Sequence, residues 1–244
     1  MTNPSLALSP QLGGAQMDGT DVGTLPATMV GRPYGNDEAG RPVGRTKGSI
    51  MRSTVEYMLE CVARRASTDG ASVADARAAA LNGLVSRLNA AIPDPSYHVT
   101  ADYLMNEGNY YSAEFDIFLS TISRELSGGP RFHFNRGTRG NPATLVVLAR
   151  PFTFSRVYQM LPRFASKVAD TDLRVVSVDT NRAVIRWHGE KDLARLAPPL
   201  HRLFIESNCQ YIQGALAVIP YLLSRGTLPM ATVRELHCHL RGDP

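Results

Sequence analysis

Residues 109–130 read NYYSAEFDIFLSTISRELSGGP. Tyr111, Phe115, Phe118, Leu119, Ile122 and Leu126 stand at offsets 0, 4, 7, 8, 11 and 15. That spacing places them on one side of an α-helix, and the glycines after Ser127 supply the residue type that ends one. So wide an apolar face must be covered, which predicts further helices laid against it. The rings gathered here also make Tyr111, Phe115 and Phe118 candidate walls of a small-molecule pocket, since such pockets are lined by apolar and aromatic side chains.

Working outward, helical periodicity begins near Ser49, where Ile50, Met58, Leu59 and Val62 recur through SIMRSTVEYMLECVARR. The next segment, SVADARAAALNGLVSRLNAAI, opens on Ser72 with Asp75 three residues on, the arrangement that satisfies free amides at a helix start. Leu81, Leu84, Val85, Leu88 and Ile92 form its buried stripe, and IPDPS ends it. A short helix is predicted around 98–106. ATLVVLARPFTF suits a strand or a buried helix equally, and FSRVYQMLPRFASKVA suits a helix kinked or broken at Pro162.

The pattern then changes. LRVVSVD and RAVIRWH are β-branched runs joined by residues that favour a turn, the composition of an antiparallel hairpin. Alternation puts Ala183, Ile185 and Trp187 on one face. A long helix follows from Pro198 or Pro199, carrying Leu200, Leu203, Phe204, Tyr211, Ile212, Leu216 and Ile219 inward, with a kink at Pro220. VRELHCHLRGDP reads as a strand running into a turn. Residues 1–46 hold eight of the twenty glycines and five of the sixteen prolines with no hydrophobic period, which predicts a disordered arm. The expected fold is α+β, a mainly helical domain with a small antiparallel sheet over residues 47–244.

At 244 residues and 43% hydrophobic composition the chain can bury a core. No run approaches the roughly 20 apolar residues of a membrane span, and the N-terminus lacks a basic start followed by an apolar stretch, so a cytoplasmic protein away from membranes is expected. Three widely spaced cysteines, Cys61, Cys209 and Cys238, suit reduced thiols. Between Arg131 and Ala169 there are seven basic residues and no acid. That segment is a solvated face or a docking surface for an acidic partner or a phosphate backbone.

Motifs weigh against the commonest enzymes. There is no GxSxG elbow, Walker phosphate loop, GxGxxG after a strand, or HExxH. Cys209 and His201 share the predicted long helix about 12 Å apart, too far for a nucleophile and its base. His237 and His239 flank Cys238 and share a strand face, which is half of a metal site at most, and no second cluster of Cys or His supplies the rest. No metal site and no catalytic residue are expected. Glu114 lies at the edge of the apolar stripe, where it can cap or pair with a base. Asp116 falls off the stripe and is expected in solvent. His133, between Phe132 and Phe134, and Arg136 are candidate polar contacts of the pocket, with Trp187 as a wall and Cys209 and Tyr211 contributed by the long helix.

YHVTADYLMNEGNYYSAEFDIFLSTISRELSGGPRFHFNRG, ARPFTFSRVYQMLPRF, FIESNCQYIQGALAVIPYLL and LPMATVRELHCHLRGDP together resemble an input module of bacterial multidomain signalling proteins. Such modules stand ahead of histidine kinase, diguanylate cyclase or adenylate cyclase modules. The last third is more distantly similar to the 4-vinyl reductase domain, a small-molecule-binding fold related to transport protein particle subunits. The resemblance covers residues 47–244 and implies a sensor rather than an enzyme. Occupancy of an apolar pocket would alter a linked output module, within a homodimer. Modules of this kind continue past the glycine–aspartate turn into a returning strand with another cysteine, beyond Pro244. The resemblance transfers no catalytic residue and indicates no bound redox cofactor, so the cofactor stays unknown. The alternative expectation is an interaction module without a small-molecule ligand, docking through the basic segment 131–167.

Overall fold

The computed structural model describes residues 24–44, 46–129, 131–139, 149–166 and 172–238. The first half of 143–154, where the sequence suits strand or helix, lies outside them, as do His239 and the glycine–aspartate turn.

The predicted helices are present. Helix α1 spans Gly48–Thr68 and α2 spans Val73–Ala91, with the Ser72 hydroxyl accepting from the Asp75 amide as the cap pattern requires. A single 3₁₀ turn at Pro95–Tyr97 and the short α3, Ala101–Met105, lead to α4, Ala113–Ser127. Ser112 caps α4 through the Phe115 amide, and Gly128 ends it at φ 68°, a left-handed conformation that favours glycine. Tyr111 therefore precedes α4 instead of opening it. It lies in β2, Tyr110–Tyr111, paired antiparallel with β1, Thr46–Lys47. Its ring still stacks on Phe115, with centroids 4.8 Å apart, so the apolar stripe continues past the helix end.

Helix α4 is the centre of the molecule. Phe115, Ile117, Phe118, Leu119 and Ile122 are all buried, which leaves almost no solvent face. It packs against α1 and α2 on one side and a later helix on the other. Helix α5, Phe132–Arg139, follows. Helix α6, Phe154–Ala165, contains Pro162 within its last turn, and packs on the hairpin of β3, Asp172–Val178, and β4, Ala183–His188. The hairpin is as predicted, with a bulge between Val175 and Ser177 that leaves Val176 exposed. Its turn is closed by the Asp179 carboxylate, which accepts from the amides of Asn181 and Arg182 at 2.9 and 2.8 Å.

Beyond the short α7, Glu190–Leu193, the predicted long helix is divided. A 3₁₀ turn at Pro198–Leu200 leads into α8, His201–Ala217, and α9, Ile219–Leu223, restarts after Val218 with Pro220 in its first turn, where a missing amide costs nothing.

Two expectations are corrected. Residues 229–238 form no strand; the Ala231 amide donates to the Ala217 carbonyl at 2.8 Å, and Cys238 is buried against the large core. The glycine-rich stretch is also no free arm over residues 24–44. Met29 is buried in the core, its amide donates to the Ala91 carbonyl, and the amides of Val30 and Gly31 donate to the Glu114 carboxylate at 2.8 and 2.7 Å. Glu114 is thus a clamp for this segment and not a partner of the basic one. Among the described residues no helix is long and apolar enough to cross a membrane.

Two apolar clusters result. The large one is built from α1, α2, α4 and the first half of α8; the small one joins Ala149, Val157 and Ile219 with Tyr158, Leu161, Leu216 and Leu223.

Candidate functional site

Helix α8 has two working faces. At about 100° per residue, Cys209, Ile212, Gln213 and Leu216 fall on one stripe and Tyr211 and Gly214 on the opposite side. The first stripe faces a cavity of about 610 Å³, closed by Phe154, Ser155 and Tyr158 of α6, by the hairpin, by Pro220 and by residues 231–238. The cavity lies at the seam of the two apolar clusters. Trp187 packs against the large cluster, its ring 5.7 Å from Phe204, and Tyr158 and Leu216 belong to the small one. Tyr158 donates to the Leu216 carbonyl at 3.2 Å, and burial pushes its phenol up to about 12, so it is neutral at physiological pH. The Ser155 hydroxyl donates to the Asp179 carbonyl at 3.1 Å, which fixes the start of α6 to the hairpin turn. A half-open cavity of this size, with a mainly apolar surface and polar groups along its edge, is a form that small-molecule sites take.

The structure divides the sequence candidates. Trp187 and Cys209 line the cavity. Tyr111, Phe115 and Phe118 do not; they are buried in the large core, where Tyr111 donates to the Tyr103 carbonyl at 2.8 Å and burial raises its phenol to about 12. His133, Arg136 and Tyr211 lie on the other side of α8. The rings of residues 109–119 hold one another and the helices around them.

That other side contains a buried charge pair that contradicts the expectation of a solvated Asp116. Arg136 is 2% exposed, and its guanidinium donates to Asp116 at 3.3 Å and to the Thr54 hydroxyl at 3.4 Å. It also lies over the Tyr211 ring at 4.6 Å. Burial raises the Asp116 carboxyl above its ordinary value, opposed by Arg136 and by a hydrogen bond with Thr46. Sequence could not show this, because a carboxylate off an apolar stripe reads as solvated until its distant partner is known. The segment 131–167 is likewise not a uniform basic face: Arg139 pairs with Glu60, and Arg131 lies over Phe134.

His133 is 2% exposed, with the edge of Phe132 against its ring. Burial first, then the charges of Arg136 and Arg124, hold its pKa well below 6.5. A base whose folded pKa is depressed contributes stability that is present above its unfolded value and lost as pH falls beneath it. Stability should therefore decline below pH 6.5 by about 1.4 kcal/mol per pH unit until the folded pKa is reached. The raised pKa of Asp116 has the opposite sign, so the His133 share is read as the difference between wild type and His133→Gln in urea unfolding across that range. Parallel pH curves for the two proteins would contradict it.

On the cavity side, Sγ of Cys209, a carboxylate oxygen of Glu235 and Sγ of Cys238 all lie within 4.8 Å of one another. Two thiolates and a carboxylate are ligands that zinc accepts, and they supply three of the four positions of a structural site. Such an ion would fasten residues 235–238 to α8. The sequence reading puts His237 and His239 together as half a site at most; the structure instead brings Cys238 to Cys209 of a helix, a pairing with no local spacing to announce it.

No family model, curated protein or solved structure matches the chain.

Proposed function

We propose that this chain is a ligand-sensing regulatory domain of a bacterial signalling system. In this reading a small apolar or aromatic molecule occupies the cavity between α6, the hairpin and α8. The observation that carries it is the cavity itself, half open, about 610 Å³ and lined in part by Trp187, on a helix whose reverse face packs on a second helix. Occupancy would favour one of two placements of α8, and α5 would follow through the Arg136 and Tyr211 contact, shifting a population rather than creating a new state. A homodimer and a linked output module are the partners this reading needs, and it places the domain in the cytoplasm. It assigns no catalytic residue. The interaction-module alternative is weakened by the engagement of Arg136 and Arg139 with acids of the same chain.

Trp187 is the single tryptophan, so its fluorescence reports on the cavity alone. An aromatic ligand is expected to quench Trp187 and to raise the unfolding midpoint of the wild type, and Trp187→Ala, still folding cooperatively, is expected to lose that ligand-induced rise in midpoint. A ligand response that survives Trp187→Ala unchanged would remove the cavity from the account.

A further inference from the structure

The cavity combines its apolar walls with an excess of positive charge. Arg182 at the hairpin turn, Arg186 in β4 and Arg234 in the closing segment all line it. No carboxylate pairs with any of the three among the described residues. Arg186 stands directly across the hairpin from Arg174, and it is Arg174 that takes the nearby acid, Asp172. Two acids, Asp179 and Glu235, also line the cavity, so the arginines outnumber them three to two. Asp179 closes the hairpin turn with both of its accepted amides, and Glu235 lies with the two thiols.

From this charge complementarity we infer that the ligand is an amphipathic carboxylate, an apolar or aromatic body bearing one carboxylate group. The inference rests on the proposed sensing function and adds the polar half of the ligand. The apolar body takes the space faced by Trp187, Tyr158 and Leu216, and the carboxylate is held at the arginine rim. Guanidinium groups present parallel donors that match a carboxylate in two hydrogen bonds, which a neutral isostere cannot reproduce.

The test is a matched pair of probes, 4-tert-butylbenzoate and 4-tert-butylbenzamide, titrated into the full chain with Trp187 fluorescence as the readout. The two share ring and bulk and differ in charge. The carboxylate should bind about tenfold more tightly at low salt, the equivalent of one charge-assisted contact. That preference should shrink as salt is raised and in Arg186→Gln combined with Arg182→Gln, with binding of the amide unaffected. Equal binding of the two probes, or a preference that the arginine substitutions leave intact, overturns the carboxylate assignment while leaving the sensing function standing. No Trp187 response to either probe at millimolar concentration counts against both.

Discussion

Arg136→Met should cost about 3–5 kcal/mol of folding stability, because it removes one partner of a buried ion pair and leaves the other without compensation. Asp116 would then keep its hydrogen bond with Thr46 but lose the guanidinium that opposes its burial. The loss depends on pH in a direction that can be worked out. Burial already raises the Asp116 pKa and Arg136 opposes it, so removing Arg136 raises it further. A carboxyl with a raised folded pKa contributes stability that is present below its unfolded value near 3.8 and lost as pH rises through the folded value. The variant should therefore be closest to wild type in acid and furthest from it at neutral pH. Adding Asp116→Leu should restore much of the stability at neutral pH, since an apolar pair of similar volume leaves no charge to desolvate. Urea unfolding of the two single variants and the double completes the cycle. Independent, additive losses would mean that the two charges are not coupled.

The second large effect lies at the crossing of α5 and α8. A Cβ on Gly137 would overlap the Tyr211 carbonyl oxygen, and one on Gly214 would overlap the Phe134 carbonyl oxygen. Each glycine thus admits the backbone of the facing helix, and no flexible side chain is available to move aside. Gly214→Ala should force the helices apart and cost about 3 kcal/mol, the upper end of ordinary overpacking. Gly137→Ala should cost a similar amount. The double variant should lose less than the sum, because the first substitution opens the interface that the second also needs open. Full stability in Gly214→Ala would mean that α5 and α8 do not cross this closely. Since the opposite stripe of α8 faces the cavity, both variants should also weaken coupling between ligand binding and the position of α5.

What could be read from the sequence follows the range of each interaction. Helices α1, α2 and α4 carry their own periodicity, and boundary signals such as Ser72 at the start of α2 and Gly128 at the end of α4 made positions legible. The hairpin was legible from β-branched runs around a turn. Trp187 and Cys209 were recognised as candidate site residues, one from a ring on a hairpin face and the other from a thiol on a long helix. The rest depends on pairings between residues far apart in the chain. Asp116 meets Arg136 from another helix, Cys209 meets Cys238 from the closing segment, and Met29 reaches the core from a stretch whose glycines and prolines read as disordered. Aromatic spacing located the core correctly and the cavity wrongly. The same rings satisfy either role, and only tertiary packing decides between them.

The most direct test of ligand sensing is native mass spectrometry of the freshly purified protein, with the intact complex compared against the denatured chain. The account predicts a reproducible excess mass per chain, from a compound that is released on unfolding and whose binding is lost in Trp187→Ala. A bare chain mass under native conditions, unchanged when the protein is offered aromatic compounds, would contradict it and leave the cavity without a ligand.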